Sequence, residues 1–245
     1  VLVDTLRADH LGCYGALNPK TLTPQLDNFA QSATLFRHCW AQAPWTKPSV
    51  ASILTGRYPW EHGAEDFADI ISDKVPNLAQ ILSPVGYQCS GVVTNYFVSD
   101  VFGFGRGFGS YVCSIRDSFR GVNSKAKAWL ASRNEKGPFF LYLHCLEPHS
   151  PYEPPRDLKG FESCPHFSDK ELLDLTGLAS RQRLRRGSAA EDRQIEQMLK
   201  KAHQAYAGEV AATDRAFGEL LAELNKASSH FWVNNLSETR ILSLL

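Results

Sequence analysis

Phe139-Phe140-Leu141-Tyr142-Leu143-His144-Cys145-Leu146-Glu147-Pro148-His149-Ser150-Pro151-Tyr152-Glu153-Pro154-Pro155 passes from an apolar run into a proline-rich loop. Phe139–His144 reads as a buried strand, and Glu147–Pro155 as the stiff loop after its carboxyl end. Outward from this stretch the same alternation recurs. Val1–Asp4 and Cys89–Thr94 are strand candidates, and Leu35–Ala41 is a shorter one. Helical patterns lie between and beyond them. Thr23–Ala33 carries Leu26, Phe29, Ala30 and Ala33 at helical spacing behind a Thr23-Pro24 start. Pro48–Thr55 closes at Gly56, Asn77–Leu82 is closed by Pro84 and Gly86, Ser124–Ser132 is short, and Arg193–Lys226 is long and amphipathic. Strand and helix in alternation imply an α/β fold with a mostly parallel sheet. Such sheets bind ligands at the carboxyl ends of their strands, and Asp4, Thr46 and His149 fall at or just after strand ends.

The chain has 245 residues, enough for one large domain or two small ones. With 43% hydrophobic and 21% charged residues it can build a packed core, which argues against wholesale disorder. Twenty-six basic residues balance 26 acidic ones, so no global field exists to hold nucleic acid or an anionic membrane. Affinity for an anion must come from a local site. No apolar run reaches membrane-spanning length. The chain opens without Met, so residues ahead of Val1 are expected, and a signal peptide among them would mean an exported or periplasmic protein. The six cysteines show no zinc-like spacing and are expected to be separate, mostly buried thiols. The polar stretch 156–192 is expected to be irregular, with Arg181, Arg183, Arg185 and Arg186 on a solvated face. The run Phe102–Gly109 (FGFGRGFG) lacks the Lys-Ser/Thr pair of a phosphate loop and reads as a flexible aromatic loop.

Three segments carry chemistry. The first, Val1-Leu2-Val3-Asp4-Thr5-Leu6-Arg7, ends an apolar strand on a carboxylate, a hard oxygen ligand for a divalent cation. The second, Trp45-Thr46-Lys47-Pro48-Ser49-Val50, puts a hydroxyl at the mouth of a helix, whose unpaired N–H groups suit a tetrahedral oxyanion. Thr46 there is either a helix cap or a nucleophile. The third carries His149 on its proline-bordered loop, where an imidazole can bind an ester oxygen or protonate a leaving group. His144, inside the apolar strand, reads as a satisfied core residue.

DTLRADHLGCYG, TPQLDNFA, APWTKPSVASILTGRYPWEHG, FFLYLHCLEPHSPYEPP and YAGEVAATDRAFGELLAEL, in that order, resemble the sulfatase family of the alkaline-phosphatase superfamily, from residue 1 to about residue 226. The resemblance implies an alkaline-phosphatase-like layered α/β fold, with a mostly parallel central sheet and helices on both faces. It implies hydrolysis of sulfuric, or phosphoric, ester bonds with a divalent metal, commonly Ca2+. Asp4 matches the first metal-binding Asp, with Thr46 as a second ligand. Thr46 also occupies the nucleophile position, and His149 matches the His that contacts the ester group. His62 lies near the site in the family pattern. Lys47 and Asn95 are expected to bind substrate, a small-molecule or glycan ester.

The sequence also departs from that pattern. Thr46 replaces the Cys or Ser that becomes formylglycine, Val50 replaces the motif Arg, and Thr5 replaces a second metal-binding Asp. The Asp-His-Gly or Asp-Asn-Gly strand end that completes the metal site does not follow Leu224. Residues 1–226 therefore read as an incomplete N-terminal catalytic domain, with the C-terminal part missing and 227–245 as a divergent tail. Asn234 and Asn235 are weak stand-ins for the absent ligands. Two further functions stay open: a phosphate or phosphonate ester hydrolase or transferase with a Thr nucleophile, and a non-catalytic fragment that keeps the anion pocket.

Overall fold

The computed structural model describes residues 1–15, 22–133, 137–183, 188–228 and 241–242. In chain order the elements are β1 (Leu2–Val3), α1 (Pro24–Gln31), β2 (Thr34–Leu35), α2 (Thr46–Thr55), α3 (Pro59–His62), α4 (Leu78–Leu82), β3 (Gln88–Val93), β4 (Ser110–Cys113), α5 (Phe119–Ser132), β5 (Phe139–Cys145), α6 (Asp169–Arg183), α7 (Ala189–Ser228) and β6 (Ile241–Leu242). They fall into two compact units. The first holds Val1–Asp4, Ala33–Leu146 and Glu219–Leu245, and the second holds Thr5–Ser32 and Glu147–Gly218.

The first unit is built on a four-stranded sheet of order β1-β5-β3-β4. All three pairings are parallel, as the strand–helix alternation implies. A parallel sheet is covered on both faces, so its strands carry apolar residues at successive positions. In β3 every residue from Cys89 to Val93 is buried. The register sets Leu2 and Val93 opposite His144, so β1, β5 and β3 end level with one another. Beyond those ends the chain is fastened. Asp4 N–H donates to Cys145 O at 2.9 Å. Thr94 Oγ1 donates to His144 O at 3.2 Å and accepts from Leu146 N–H at 2.8 Å.

Helix α2 packs Val50, Ala51 and Leu54 into a core with Ile71, Val93, Phe102, Phe104 and Tyr142. It stops at Gly56, whose φ of 66° places it in the left-handed region that glycine enters without strain. The glycine-rich run, expected to be flexible, is pinned instead. Phe102 and Phe104 are buried, and the Asn77 amide donates to Phe104 O and Arg106 O at 3.2 and 2.9 Å. Strand β4 begins directly after it and was not legible as a strand. The strand expected over Leu35–Ala41 shrinks to Thr34–Leu35, which pairs in parallel with β6.

In the second unit α6 occupies part of the stretch expected to be irregular. No residue of it is fully buried, but Leu172, Leu175, Leu178 and Ala179 recur at helical spacing and are half-buried. Its start was also written in the sequence. Ser168 Oγ accepts from Glu171 N–H at 3.3 Å, and Glu171 accepts from Ser168 N–H at 2.9 Å, a reciprocal capping box. Arg181 faces Glu191 at 3.4 Å, while Arg185 and Arg186 lie outside the described residues. Helix α7 buries Ala211 and Ala212 against Leu158. Its Asp214 accepts from Gln25 N–H at 3.1 Å and Leu26 N–H at 2.8 Å, answering the unpaired donors of the first turn of α1. Among the described residues no helix is long and apolar enough to cross a membrane.

Candidate active site at the strand ends

Asp4 leaves β1 at the carboxyl edge of the sheet with a side chain 13% exposed. The next residue, Thr5, has φ 55°, a left-handed conformation that costs a non-glycine residue about 1 kcal/mol or more. Within the second unit that turn is fastened from two directions: Tyr206 O–H donates to Thr5 O, and Arg7 N–H donates to Tyr206 Oη, both at 2.8 Å.

Thr46 is the first residue of α2, and Trp45, extended at φ −147°, is the cap position. Thr46 therefore does not cap its own helix. Its Oγ1 donates instead to Asp4 Oδ2 at 2.9 Å. The Asn95 side-chain amide Nδ2 donates to the same Asp4 oxygen at 3.5 Å, while its Oδ1 accepts from Phe97 N–H at 2.9 Å. His144 Nε2 lies 3.7 Å from it. One carboxylate oxygen thus gathers a hydroxyl, an amide and an imidazole from α2, the loop after β3, and β5.

His144 corrects the expectation of a satisfied core residue. It is fully buried, yet neither ring nitrogen has a hydrogen-bond partner. Burial pushes its pKa down to about 4 against the attraction of Asp4, so the imidazole is neutral near pH 7. The sequence signal was a polar residue in the inner strand of an apolar run, a pattern that does not separate a satisfied core His from an unpartnered one.

The remaining candidates are placed as follows. Lys47 is fully buried, and its ammonium donates to the carbonyls of Asp66, Phe67 and Asp69 at 2.7, 2.7 and 2.8 Å. It also sits 3.9 Å from the centre of the Phe102 ring. All three of its donors are thus engaged inside the protein, and burial pulls its pKa down. His62 is fully buried between α2 and α3. Its Nδ1 accepts from Ala64 N–H at 3.1 Å, so Nε2 carries the proton and faces Pro48 O and Ser52 Oγ at 3.2 Å each. Burial lowers its pKa as well. Both residues brace the start of α2. His149 belongs to the second unit, where it is exposed with Nδ1 2.7 Å from Ser150 O. Val50, at the place of the family's Arg, is a core residue.

A hard divalent cation takes six to eight oxygen ligands if it is calcium. Here Asp4 and Thr46 supply carboxylate and hydroxyl oxygens, and Asn95 turns its N–H toward the carboxylate. Among the described residues no group of three His, Cys, Asp or Glu side chains stands ready for a metal. The described residues therefore do not make a calcium site by themselves. Asn234 and Asn235 lie outside them.

A parallel α/β sheet with a carboxylate and a hydroxyl joined beyond its strand ends is the arrangement in which α/β enzymes bind their ligands. A solved structure of an alkaline-phosphatase-superfamily protein from Vibrio parahaemolyticus superposes with a TM-score of 0.61 at 21% identity, covering 93% of this chain and 50% of that one. A structure solved in complex with its substrate D-glucosamine-2-N,6-O-disulfate gives a TM-score of 0.64 at 18% identity, covering 94% of this chain and 61% of that one. The sulfatase family model matches residues 1–233, and the chain belongs to that family. Among curated relatives it is 24% identical over 194 residues to an N-acetylglucosamine-6-O-sulfatase of Bacteroides thetaiotaomicron. That match takes in 71% of this chain and 34% of the relative, so the chain spans about a third of that relative's length.

Proposed function

We propose that the protein hydrolyses sulfate esters, with Thr46 as the nucleophile and Asp4 as its proton acceptor. The observation that carries the reading is the 2.9 Å hydrogen bond from Thr46 Oγ1 to Asp4 Oδ2. A nucleophile and its base within hydrogen-bond reach, the base held in turn by its surroundings, is the arrangement that activates a weak hydroxyl.

In the proposed reaction Thr46 Oγ1 bonds to sulfur as the bond from sulfur to the ester oxygen breaks. The threonine proton passes to Asp4, and the departing alcohol takes its proton from water. Water then attacks the sulfur of the threonine sulfate, releasing sulfate and restoring the hydroxyl. The start of α2 carries the positive end of the helix dipole, which would stabilise the charge that the sulfuryl oxygens gain. The methyl branch of Thr46 rules out conversion to the aldehyde used by family members with Cys or Ser, so the hydroxyl itself attacks. Calcium, expected of the family, would take Asp4 and Thr46 among its ligands and would polarise the ester. The remaining ligands are not among the described residues, and no step is drawn through it. A sulfated sugar or other small sulfate ester is the substrate class, in keeping with the N-acetylglucosamine-6-O-sulfatase of Bacteroides thetaiotaomicron that the chain resembles.

The test is turnover of 4-nitrophenyl sulfate and 4-nitrophenyl phosphate by the purified whole protein, with Ca2+, Mg2+, Mn2+ or Zn2+ supplied. The proposal expects the sulfate to be the better substrate, and Thr46→Ala to lower kcat by on the order of a thousandfold or more. Undiminished turnover in Thr46→Ala would refute the nucleophile. Faster turnover of the phosphate would move the protein to phosphoryl chemistry.

A further inference from the structure

At the far end of α2 from Thr46 the surface carries two aromatic rings that the proposed chemistry does not use. Helix α2 spans ten residues, about 15 Å, and α3 follows it after Gly56. The rings of Tyr58 and Trp60 lie 4.6 Å apart and 8° from parallel. Single apolar side chains on a surface are ordinary. This pair is not single: Tyr58 is 53% and Trp60 70% exposed, and the rings stack on each other rather than fold onto the core. One face of Trp60 lies on Tyr58, so its exposure belongs to the other face and the edges.

The turn that presents the rings is fixed. Pro59, between them, is buried, and its own ring sets the backbone torsion there. His62 anchors the other end of α3 in the core, with Nδ1 accepting from Ala64 N–H and Nε2 facing Pro48 O. Glu61 Oε2 accepts from Tyr58 N–H at 3.0 Å, and its Oε1 accepts from Arg57 Nη1 at 3.3 Å. A surface fixed before it binds loses little entropy on binding. The Arg57–Glu61 pair is 59% and 37% exposed, so it contributes little to the fold and can exchange partners.

We propose that Trp60, backed by Tyr58 and edged by Arg57 and Glu61, is a stacking platform for a sugar ring in an uncharged stretch of glycan. The face of an aromatic ring is negative and attracts C–H groups. A pyranose whose hydroxyls lie in the ring plane offers such C–H groups on its flat side and hydroxyls around its edge. Guanidinium N–H donors and carboxylate acceptors match those hydroxyls. The edge holds one cation and one anion, so it gives no advantage to a charged ligand. Area decides against a protein partner. An aromatic side chain offers about 150–250 Å², so the exposed parts of Tyr58 and Trp60 come to about 300 Å² at most. A stable protein interface needs about 800 Å² from each side. The inference stands apart from the reading of Thr46, because the length of α2 separates the two places.

Saturation-transfer NMR on the whole protein, with cellotriose as the probe, tests the platform. The protein should transfer most strongly to the axial ring protons of the sugar. Trp60→Ala should weaken binding at least about fivefold, and Trp60→Tyr should restore most of it. Thr46→Ala should bind cellotriose as the parent does, so the platform and the nucleophile fail independently. No transfer in the parent, or equal transfer in parent and Trp60→Ala, would overturn the proposal. A melting temperature several degrees lower in Trp60→Ala would show that the ring packs against the protein's own chain, and would overturn it too. So would Trp60-dependent sedimentation with phosphatidylcholine vesicles, or a dimer that Trp60→Ala dissolves, since either would assign the pair to another partner.

Discussion

Raising the pH from about 5 to about 8 is expected to destabilise the protein through Glu209, and Glu209→Gln to remove most of that sensitivity. Glu209 is 3% exposed on α7. Its Oε1 accepts from Glu153 N–H at 2.6 Å, but its Oε2 is buried with no hydrogen-bond partner. Burial, then the charges of Glu147 and Glu153, lift its pKa from 4.5 to about 7, against the Glu153 N–H. The sign follows from proton counting. Because the folded-state pKa is the higher one, the folded protein binds more protons than the unfolded chain between those two values. The stabilisation is complete below pH 4.5 and is lost as the pH rises through about 7. The full swing is on the order of 3 kcal/mol. Asp214, lifted to about 6 by burial, adds the same sign in a lower window. Urea unfolding at several pH values, in parent and variant, measures both. Glutamine keeps the oxygen that Glu153 needs and removes the charge. The variant should therefore gain stability at pH 8 and retain only the Asp214 portion of the slope. An identical pH slope in the two proteins would refute the reasoning.

Three further perturbations follow from the first unit and α7. Lys47→Met strands the carbonyls of Asp66, Phe67 and Asp69, and should cost about 3 kcal/mol, read as a melting temperature lower by roughly 6–12 °C. His144→Phe removes two nitrogens that have no partner, so urea unfolding should place it within about 1 kcal/mol of the parent or above it. A loss well beyond that would mean the imidazole holds Asp4 in place. Asp214→Ala strips the start of α1 of its acceptor and should cost about 1–2 kcal/mol at neutral pH, measured the same way.

The parallel sheet was legible because its inner strands are apolar at successive positions, and because strands at residues 89–94 and 139–144 are separated by helical patterns. The site was legible where the chain announces it, with Asp4 ending a strand and Thr46 opening a helix. Local sequence could not decide whether Thr46 caps its helix or points elsewhere. That depends on Asp4, 42 positions away, offering a better acceptor than the helix's own N–H groups. Lys47 misleads in the same manner. A lysine beside a nucleophile suggests a substrate contact, yet a loop some 20 residues on supplies carbonyls that draw the ammonium inward. Helix α6 was missed among its many polar residues, although Leu172, Leu175 and Leu178 recur at helical spacing and Ser168 and Glu171 mark its start.

The central claim is that the Thr46 hydroxyl, held on Asp4, attacks the ester. Rapid quenching of the whole protein during turnover of 4-nitrophenyl sulfate, followed by mass spectrometry of the peptide containing Thr46, tests it most directly. The account predicts a sulfo group on Thr46 in the parent and none on that peptide in Thr46→Ala, which should also be inactive. Turnover without any such adduct, undiminished in Thr46→Ala, would contradict it.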